Sequence, residues 1–496
     1  MRALLILCSA ACLFAQTTRI VSGRRYPRLI VRNATIIEGN GTPASGPKDI
    51  VIENGRIADI VALDPVALSR GTSRRPAGDI EIDAKGKYVM PGLINAHAHI
   101  QDERGGIPQP VDYELKIWMA CGITTVRDVG SDTKKTLQLR RQSAEDEIVA
   151  PRIFVYPMFN QNPTPRNGDE GRARVRECKA MGVDGIKILG IYRDVMEAME
   201  DEAHKNGLRV AHHAGVEETN AWDDIKFGTT SIEHWYGIPD AAIESRRQNF
   251  PATYNYNDET DRFRYAGHLW REANHELLMK VFDGMVEAHV AWDPTLDIYE
   301  ASRDLTRAQN QPWFRDYLHP TLAKYFEPNP ANHGSYFLGW TSTDEAFWKE
   351  NYRIEMVALR DFEKRGGLIG AGDDAGFIYQ IYGFGLIREL ELHQEAGFQP
   401  LIVLQHATVN NAKILGQEGR LGRVRTGYLA DLLVVNGNPL DNLKVLYPTG
   451  IDYVRDGKMV HTGGVEWTIK AGIPYYAPGL IADVKEMVAK AKAASK

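Results

Sequence analysis

The sequence predicts an α/β protein: a (β/α)8 TIM-type barrel with a small β-sandwich domain built from N- and C-terminal segments. Three observations carry this prediction. The middle of the chain alternates apolar strands with helical patterns, which implies a parallel sheet. Eight strand candidates follow one another there, which favours a closed barrel over an open sheet. Short alternating strands with hairpin signals occur near both ends of the chain. At 496 residues the chain also exceeds one compact core, so more than one domain is expected.

The chain starts MRALLILCSAACLFAQ, in which Arg2 precedes an apolar run from Leu4 to Ala15. That run is too short to span a bilayer and suits a signal peptide over residues 1–15. The expectation is an exported protein, periplasmic or secreted, without stable membrane insertion. Residues 24–90 follow as the first part of the sandwich. LIVRNATII and DIVIENGRIADIVAL alternate apolar and polar residues, and Asn54-Gly55 is a hairpin signal. The second part is expected over 417–464, where ADLLVVNG and DYVRDGKMV are strand-like and Asp456-Gly457 is another hairpin signal.

Between them, residues 91–416 read as the barrel. Its strand candidates are YVMPGLINAHAHI, GITTVRDVG, RIFVYPMF, VDGIKILG, LRVAHHAG, TTSIEHWYG, AHVAWDPTL and GLIGAGDDAG. YRDVMEAMEDEAHKNG shows the helical texture between strands, with Val195, Met196 and Met199 at helical spacing and a glycine after the end. His234 and Asp374 are 140 positions apart, yet only two barrel units of about 30 residues each are needed there. The surplus reads as an insert at about 240–350, rich in aromatics such as Tyr254, Tyr256, Trp270, Trp313, Tyr336, Trp340 and Trp348. It serves either as an aromatic wall at the barrel mouth or as a small core of its own. Residues 465–496 read as a C-terminal extension that docks on a neighbouring subunit or trails in solvent.

Composition narrows the function classes. A formal charge of -6 and a pI near 6.2 leave no basic footprint, so nucleic acid is not an expected partner. Four Cys make no disulfide scaffold, and two of them lie in the leader. A bridge between Cys121 and Cys178 stays open.

The chemistry concentrates at strand ends. His97 and His99 stand two apart on a strand, so both imidazoles leave the same face, as two ligands of one metal must. Two satisfied structural histidines are the alternative. Lys187, in Gly185-Ile186-Lys187-Ile188-Leu189, is costly to bury as an ammonium. A depressed pKa and reaction with carbon dioxide to a carbamate is one solution, and a snorkelling lysine the other. His212 and His213 end the fifth strand, and Glu233-His234 the sixth. Asp373 and Asp374 end the eighth among small residues. Of His212 and His213, and of Asp373 and Asp374, only one side chain should point to the barrel axis. Imidazole, lysine and carboxylate thus succeed one another at the strand ends that form the active face of such barrels.

In PGLINAHAHI, GITTVRDVG, DGIKIL, VAHHAG, SIEHW, GAGDDAG, HATVNNAKILG and GRLGRVRTGYLADLLVV, the chain resembles the amidohydrolase superfamily. The resemblance is to its imidazolonepropionase-like and prolidase-like branch and runs from about Ala34 to Gly464. It implies His97, His99, Lys187, His213, His234 and Asp374 as metal ligands, with Asp374 also catalytic. It implies two divalent metal ions, with zinc expected, and carbon dioxide held as the Lys187 carbamate. Two departures stand out: Asn95 replaces the commoner Asp before the HxH pair, and Asp373 replaces the usual Thr before Asp374. Imidazolonepropionase itself lacks the carbamylated lysine, so Lys187 points away from that activity. The function implied is metal-dependent hydrolysis of an amide in a small-molecule substrate, an N-acyl amino acid or Xaa-Pro-like dipeptide, by a metal-bridging hydroxide. An esterase, lactonase or phosphotriesterase on the same site is the alternative, since the same nucleophile attacks those centres. A non-catalytic binding barrel is disfavoured because no ligand position is missing. A homo-oligomer is expected from the resemblance alone.

Overall fold

The computed structural model describes residues 20–159, 164–215, 219–243, 259–329, 337 and 339–495. The leader expected over 1–15 lies outside these residues, as do Tyr254, Tyr256 and Tyr336 of the insert. Among the described residues no helix is long and apolar enough to cross a membrane.

The eight predicted barrel strands close into a ring. In order they are Leu93–Ala98, Ile123–Asp128, Arg152–Val155 continued by Met158–Phe159, Gly185–Leu189, Arg209–His213, Ser231–Glu233, Ala291–Asp293 and the segment 368–371. Neighbouring strands pair in parallel, as in Ile186 with Val210 and Ile232 with Trp292. The eighth segment shuts the ring: Ile369 bridges Trp292 on one side, and Ala371 O accepts from Ala96 N at 3.1 Å on the other. The helix expected after the fourth strand is Arg193–Lys205, with Val195, Met196 and Met199 all buried against the barrel.

The chain ends build one eight-stranded sheet beside the barrel. Its path runs Ile473–Tyr476, Val465–Lys470, Leu432–Val435, Tyr88–Pro91, Arg28–Ile36, Ser45–Glu53 and Arg56–Ala62. Strand Ile80–Asp83 branches off, because Arg28–Ile36 pairs it along its first half and Tyr88–Pro91 along its second. The fork lies at a register irregularity where Asn33 has φ 59°. The sheet folds over a core of Leu29, Val31, Ile50, Ile82, Val89, Leu432, Val434 and Ile469. Both predicted hairpin turns form with two left-handed residues each, Asn54-Gly55 and Asp456-Gly457, as a two-residue turn of the primed type requires.

Two boundaries differ from the sequence reading. The composite domain does not end at 464, because Val465–Lys470 and Ile473–Tyr476 pair into its sheet. The remaining extension neither trails nor needs a neighbouring subunit. Helix Ala477–Ala494 lays Leu480, Ile481, Val484 and Val488 on the chain's own barrel, and Lys485 Nζ pairs with Asp316 at 2.9 Å. The insert is also two inserts. Helix His275–Glu287 and strand Ala291–Asp293 interrupt it, so one part precedes the seventh strand and the other follows it. Among the described residues of the insert, Trp270, Tyr325, Phe326 and Trp348 are buried in core, and Trp348 stacks on Phe263 and Tyr299. Cys121 and Cys178 are both free and buried.

Candidate metal centre

The site sits at the carboxyl ends of the strands. His97 and His99 leave one face of the first strand, as their spacing predicts, with ring centroids 5.4 Å apart. Both rings turn to Asp374: His99 Nε2 lies 3.1 Å and His97 Nε2 3.8 Å from its Oδ1. His234 Nε2 lies 3.8 Å from Asp374 Oδ2. One donor atom each from His97, His234 and Asp374 falls within 4.8 Å of the others, a spacing that holds a metal ion. His213 completes the row, its ring 4.7 Å from that of His234 and stacked on Tyr236.

Strand alternation does not produce this arrangement unaided. Glu233 and His234 are adjacent, yet both approach His97. The reason is backbone conformation. His234 has φ 62° and Asp374 φ 44°, in the left-handed region that non-glycine residues rarely adopt. Each turn re-aims a side chain just past its strand, where strain of this kind collects at working sites. Asp374 N donates to His97 O at 2.9 Å and His234 N to Asp293 O at 2.8 Å, which holds the two turns. Gly372 is required by contact: a Cβ there would lie 2.4 Å from His97 Cβ.

The structure separates the two ambiguous pairs. Asp374 faces the imidazoles, while Asp373 is buried behind and accepts from Asn95 Nδ2 at 2.7 Å. His213 faces the cluster, while His212 turns away to Asp224 Oδ1 at 2.7 Å. Next to them, Glu233 meets Arg127 and His97 Nδ1, while His234 turns its Nε2 to Asp374. Lys187 is 2% exposed, and its Nζ has no hydrogen-bond partner.

Burial drives the electrostatics. It pushes His97 down to about 4 and His213 down to about 3, with the Lys187 charge adding to both. His234 is held well below its ordinary value by burial and by His97. Burial also pushes Lys187 down to about 8. Burial alone would raise Asp374, but His97, His99 and Lys187 outweigh it and bring the carboxyl to about 2. Neutral imidazoles and an ionised carboxylate are the forms that bind metal.

A layer of residues beneath this set was not singled out as functional in the sequence. Glu233 Oε2 lies 2.7 Å from His97 Nδ1. Arg127 Nη2 in turn binds both Glu233 oxygens at 2.7 and 2.8 Å, and Ser231 Oγ donates to Oε1 at 2.5 Å. Thr295 Oγ1 lies 2.6 Å from His234 Nδ1. All four are fully buried. The available signal was charge inside apolar strands: Arg127 in Val126-Arg127-Asp128 and Glu233 in Ile232-Glu233-His234 must have partners, and only the fold brings them together.

Four basic residues of the insert, Arg262, Arg264, His268 and Arg271, divide in their surroundings. Arg264 pairs with Asp344 at 2.8 Å, Arg271 lies over the Phe347 ring, and the His268 ring packs on Phe347. Arg262 makes no ion pair among the described residues, and its charge contributes to lowering His213.

The model of the amidohydrolase family matches residues 88–242 and 343–462, more than half of the chain. Among curated proteins, a dihydroorotase of Lactobacillus helveticus is 31% identical over 176 residues. That match takes in 33% of this chain, and the chain spans 39% of that relative's length. Among solved structures, a Xaa-Pro dipeptidase with bound methionine in its active site superposes with TM-score 0.63 at 21% identity, covering 90% of this chain and 100% of that one. Bottromycin amidohydrolase gives TM-score 0.65 at 17% identity, covering 95% and 92%. These two likenesses show the fold.

Proposed function

This chain belongs to the amidohydrolase family, and from that premise we propose that it is a metal-dependent hydrolase cleaving an amide C–N bond in a small molecule. N-acyl amino acids and Xaa-Pro-like dipeptides are the proposed substrates. The observation that carries the reading is the convergence of His97, His99, His234 and Asp374 beside a buried lysine whose Nζ has no hydrogen-bond partner among the described residues. The fold likeness to a Xaa-Pro dipeptidase supports the dipeptide class.

The donor set fits divalent metal of the zinc type, which takes imidazole and carboxylate together. His97, His99 and Asp374 would hold one ion and His213 and His234 a second, with Lys187 as its carbamate between them. Bound metal would supply a water of lowered pKa and polarise the scissile carbonyl. The chain's own residues do the rest. The Lys187 amine, brought toward neutrality by burial, adds to carbon dioxide. The N–C bond forms, one proton leaves to solvent, and the anionic carbamate satisfies a group that is otherwise buried without a partner. Asp374, kept ionised at neutral pH, accepts a proton from the attacking water and delivers it to the leaving nitrogen. Arg262, half-buried beside His213, meets a substrate carboxylate. Export is part of the proposal and rests on the apolar run from Leu4 to Ala15.

The test is purified protein supplied with zinc and bicarbonate. Two metal equivalents and turnover of N-acyl amino acids or Xaa-Pro dipeptides are expected. Protein that binds no metal, or that cleaves only ester and phosphotriester analogues, would overturn the reading.

A further inference from the structure

We propose that Thr295 is a positioning residue that fixes the tautomer and plane of His234. The inference rests on the metal-site reading above. A neutral imidazole carries one N–H, and the partner of one ring nitrogen decides which nitrogen is left as a ligand. His234 turns Nε2 toward Asp374 and Nδ1 toward Thr295 Oγ1, 2.6 Å away and fully buried. When that hydroxyl accepts the Nδ1 proton, the Nε2 lone pair faces the cluster.

Two further features show that Thr295 is placed for this contact. It precedes the 3-10 helix Leu296–Tyr299, where a threonine side chain would ordinarily cap the helix, yet it makes no capping bond. Its backbone also has φ 47°, an outlying conformation for a β-branched residue. The surroundings hold it there. Tyr352 Oη donates to Leu296 O at 2.7 Å, Asp297 N donates to Glu389 Oε2 at 2.7 Å, and Gln380 Nε2 donates to Asp297 O at 2.9 Å. The seventh-strand region thus grips His234 at three points: its N–H through Asp293 O, its carbonyl through Trp292 Nε1, and its ring through Thr295.

The experiment compares the full chain with Thr295→Val, which keeps the branched shape without the acceptor, and Thr295→Ser, which keeps the hydroxyl. Zinc binding is followed by equilibrium dialysis, and coordination geometry by the visible spectrum of the cobalt-loaded protein. Thr295→Val is expected to fold with unchanged circular dichroism, to bind one metal equivalent about 10–100-fold more weakly, and to change the cobalt spectrum. Thr295→Ser is expected to restore both. Valine protein with wild-type affinity and spectrum overturns the inference alone. So does serine protein as weak as valine protein, since the backbone and not the hydroxyl would then be responsible. Wild-type protein that binds no metal overturns the hydrolase reading and this inference with it. If Thr295→Val does not fold, nitrogen NMR of metal-free wild type decides: a proton on His234 Nδ1 supports the proposal and a proton on Nε2 overturns it.

Discussion

Asn95 donates its side-chain amide to Asp373 Oδ1 at 2.7 Å, and its Oδ1 accepts from Asp373 N at 3.2 Å and from His97 N at 3.1 Å. These are the two positions at which the sequence departs from the pattern it resembles, and the fold joins them. An Asp at 95 would accept and a Thr at 373 would donate. Here Asn donates and Asp accepts, so the hydrogen bond survives with its polarity reversed. Asn95→Asp alone places two buried carboxyls together and is expected to cost about 1–3 kcal/mol. Adding Asp373→Thr should recover most of that loss. Thermal unfolding of both single variants and the double variant checks this, and additive losses would refute the pairing.

Lys187→Ala removes the proposed carbamate. Metal content after dialysis is expected to fall from two equivalents toward one, with turnover falling at least 100-fold, as typical for removal of an electrostatic element of an active site. Carbon NMR with labelled bicarbonate should show a carbamate signal in wild type and none in the variant. Full metal content and full rate in Lys187→Ala would refute the binuclear assignment.

Arg262→Met should act on substrate binding. For a carboxylate-bearing substrate KM is expected to rise about 10-fold or more, as when a charge-assisted hydrogen bond is removed. The same substrate with its carboxylate amidated should show no such change. Equal effects on both would place Arg262 outside the binding site.

Asp49 tests electrostatics away from the site. Its fully buried carboxylate accepts from Arg32 Nη1 at 2.8 Å, from Arg75 Nε at 2.8 Å and from Asn33 N at 3.1 Å. Burial alone would raise its pKa, but Arg75, Asn33 and Arg32 outweigh it, so the folded value lies below the ordinary one. The stabilisation is therefore complete above the unfolded pKa of about 4 and is lost as pH falls through the lower folded value. Asp49→Asn should cost about 1–3 kcal/mol near neutral pH, because Arg75 loses its carboxylate and Arg32 keeps only Glu81 as an ionic partner. It should also flatten the fall of Tm on acidification below pH 4. An unchanged Tm–pH profile would show that the cluster contributes nothing.

Much of this molecule is written in local pattern. Alternation and hairpin dipeptides mark the sheet strands, and the strand-to-helix rhythm marks eight barrel units. His97-Ala98-His99 announces a shared face because a period of two is a property of the strand alone. Position at strand ends points to Lys187, His234 and the pairs His212-His213 and Asp373-Asp374, and the resemblance picks His213 and Asp374 and adds the roles. Length exposes the surplus and the strand pattern AHVAWDPTL marks the seventh strand inside it, but how the surplus divides around strand Ala291–Asp293 is seen only in the fold.

What needed the folded chain is of two kinds. The first is backbone handedness: left-handed turns at His234 and Asp374 set where those two side chains aim, and side-chain periodicity carries no record of φ. The second is contact across the sequence. Glu233 with His97, Arg127 with Glu233 and Asn95 with Asp373 are separated by 136, 106 and 278 positions. Each partner satisfies a buried polar group, and the need for a partner is legible in the residue type. Which residue meets that need depends on how the ring closes, and that is a property of packing rather than of any local stretch of chain.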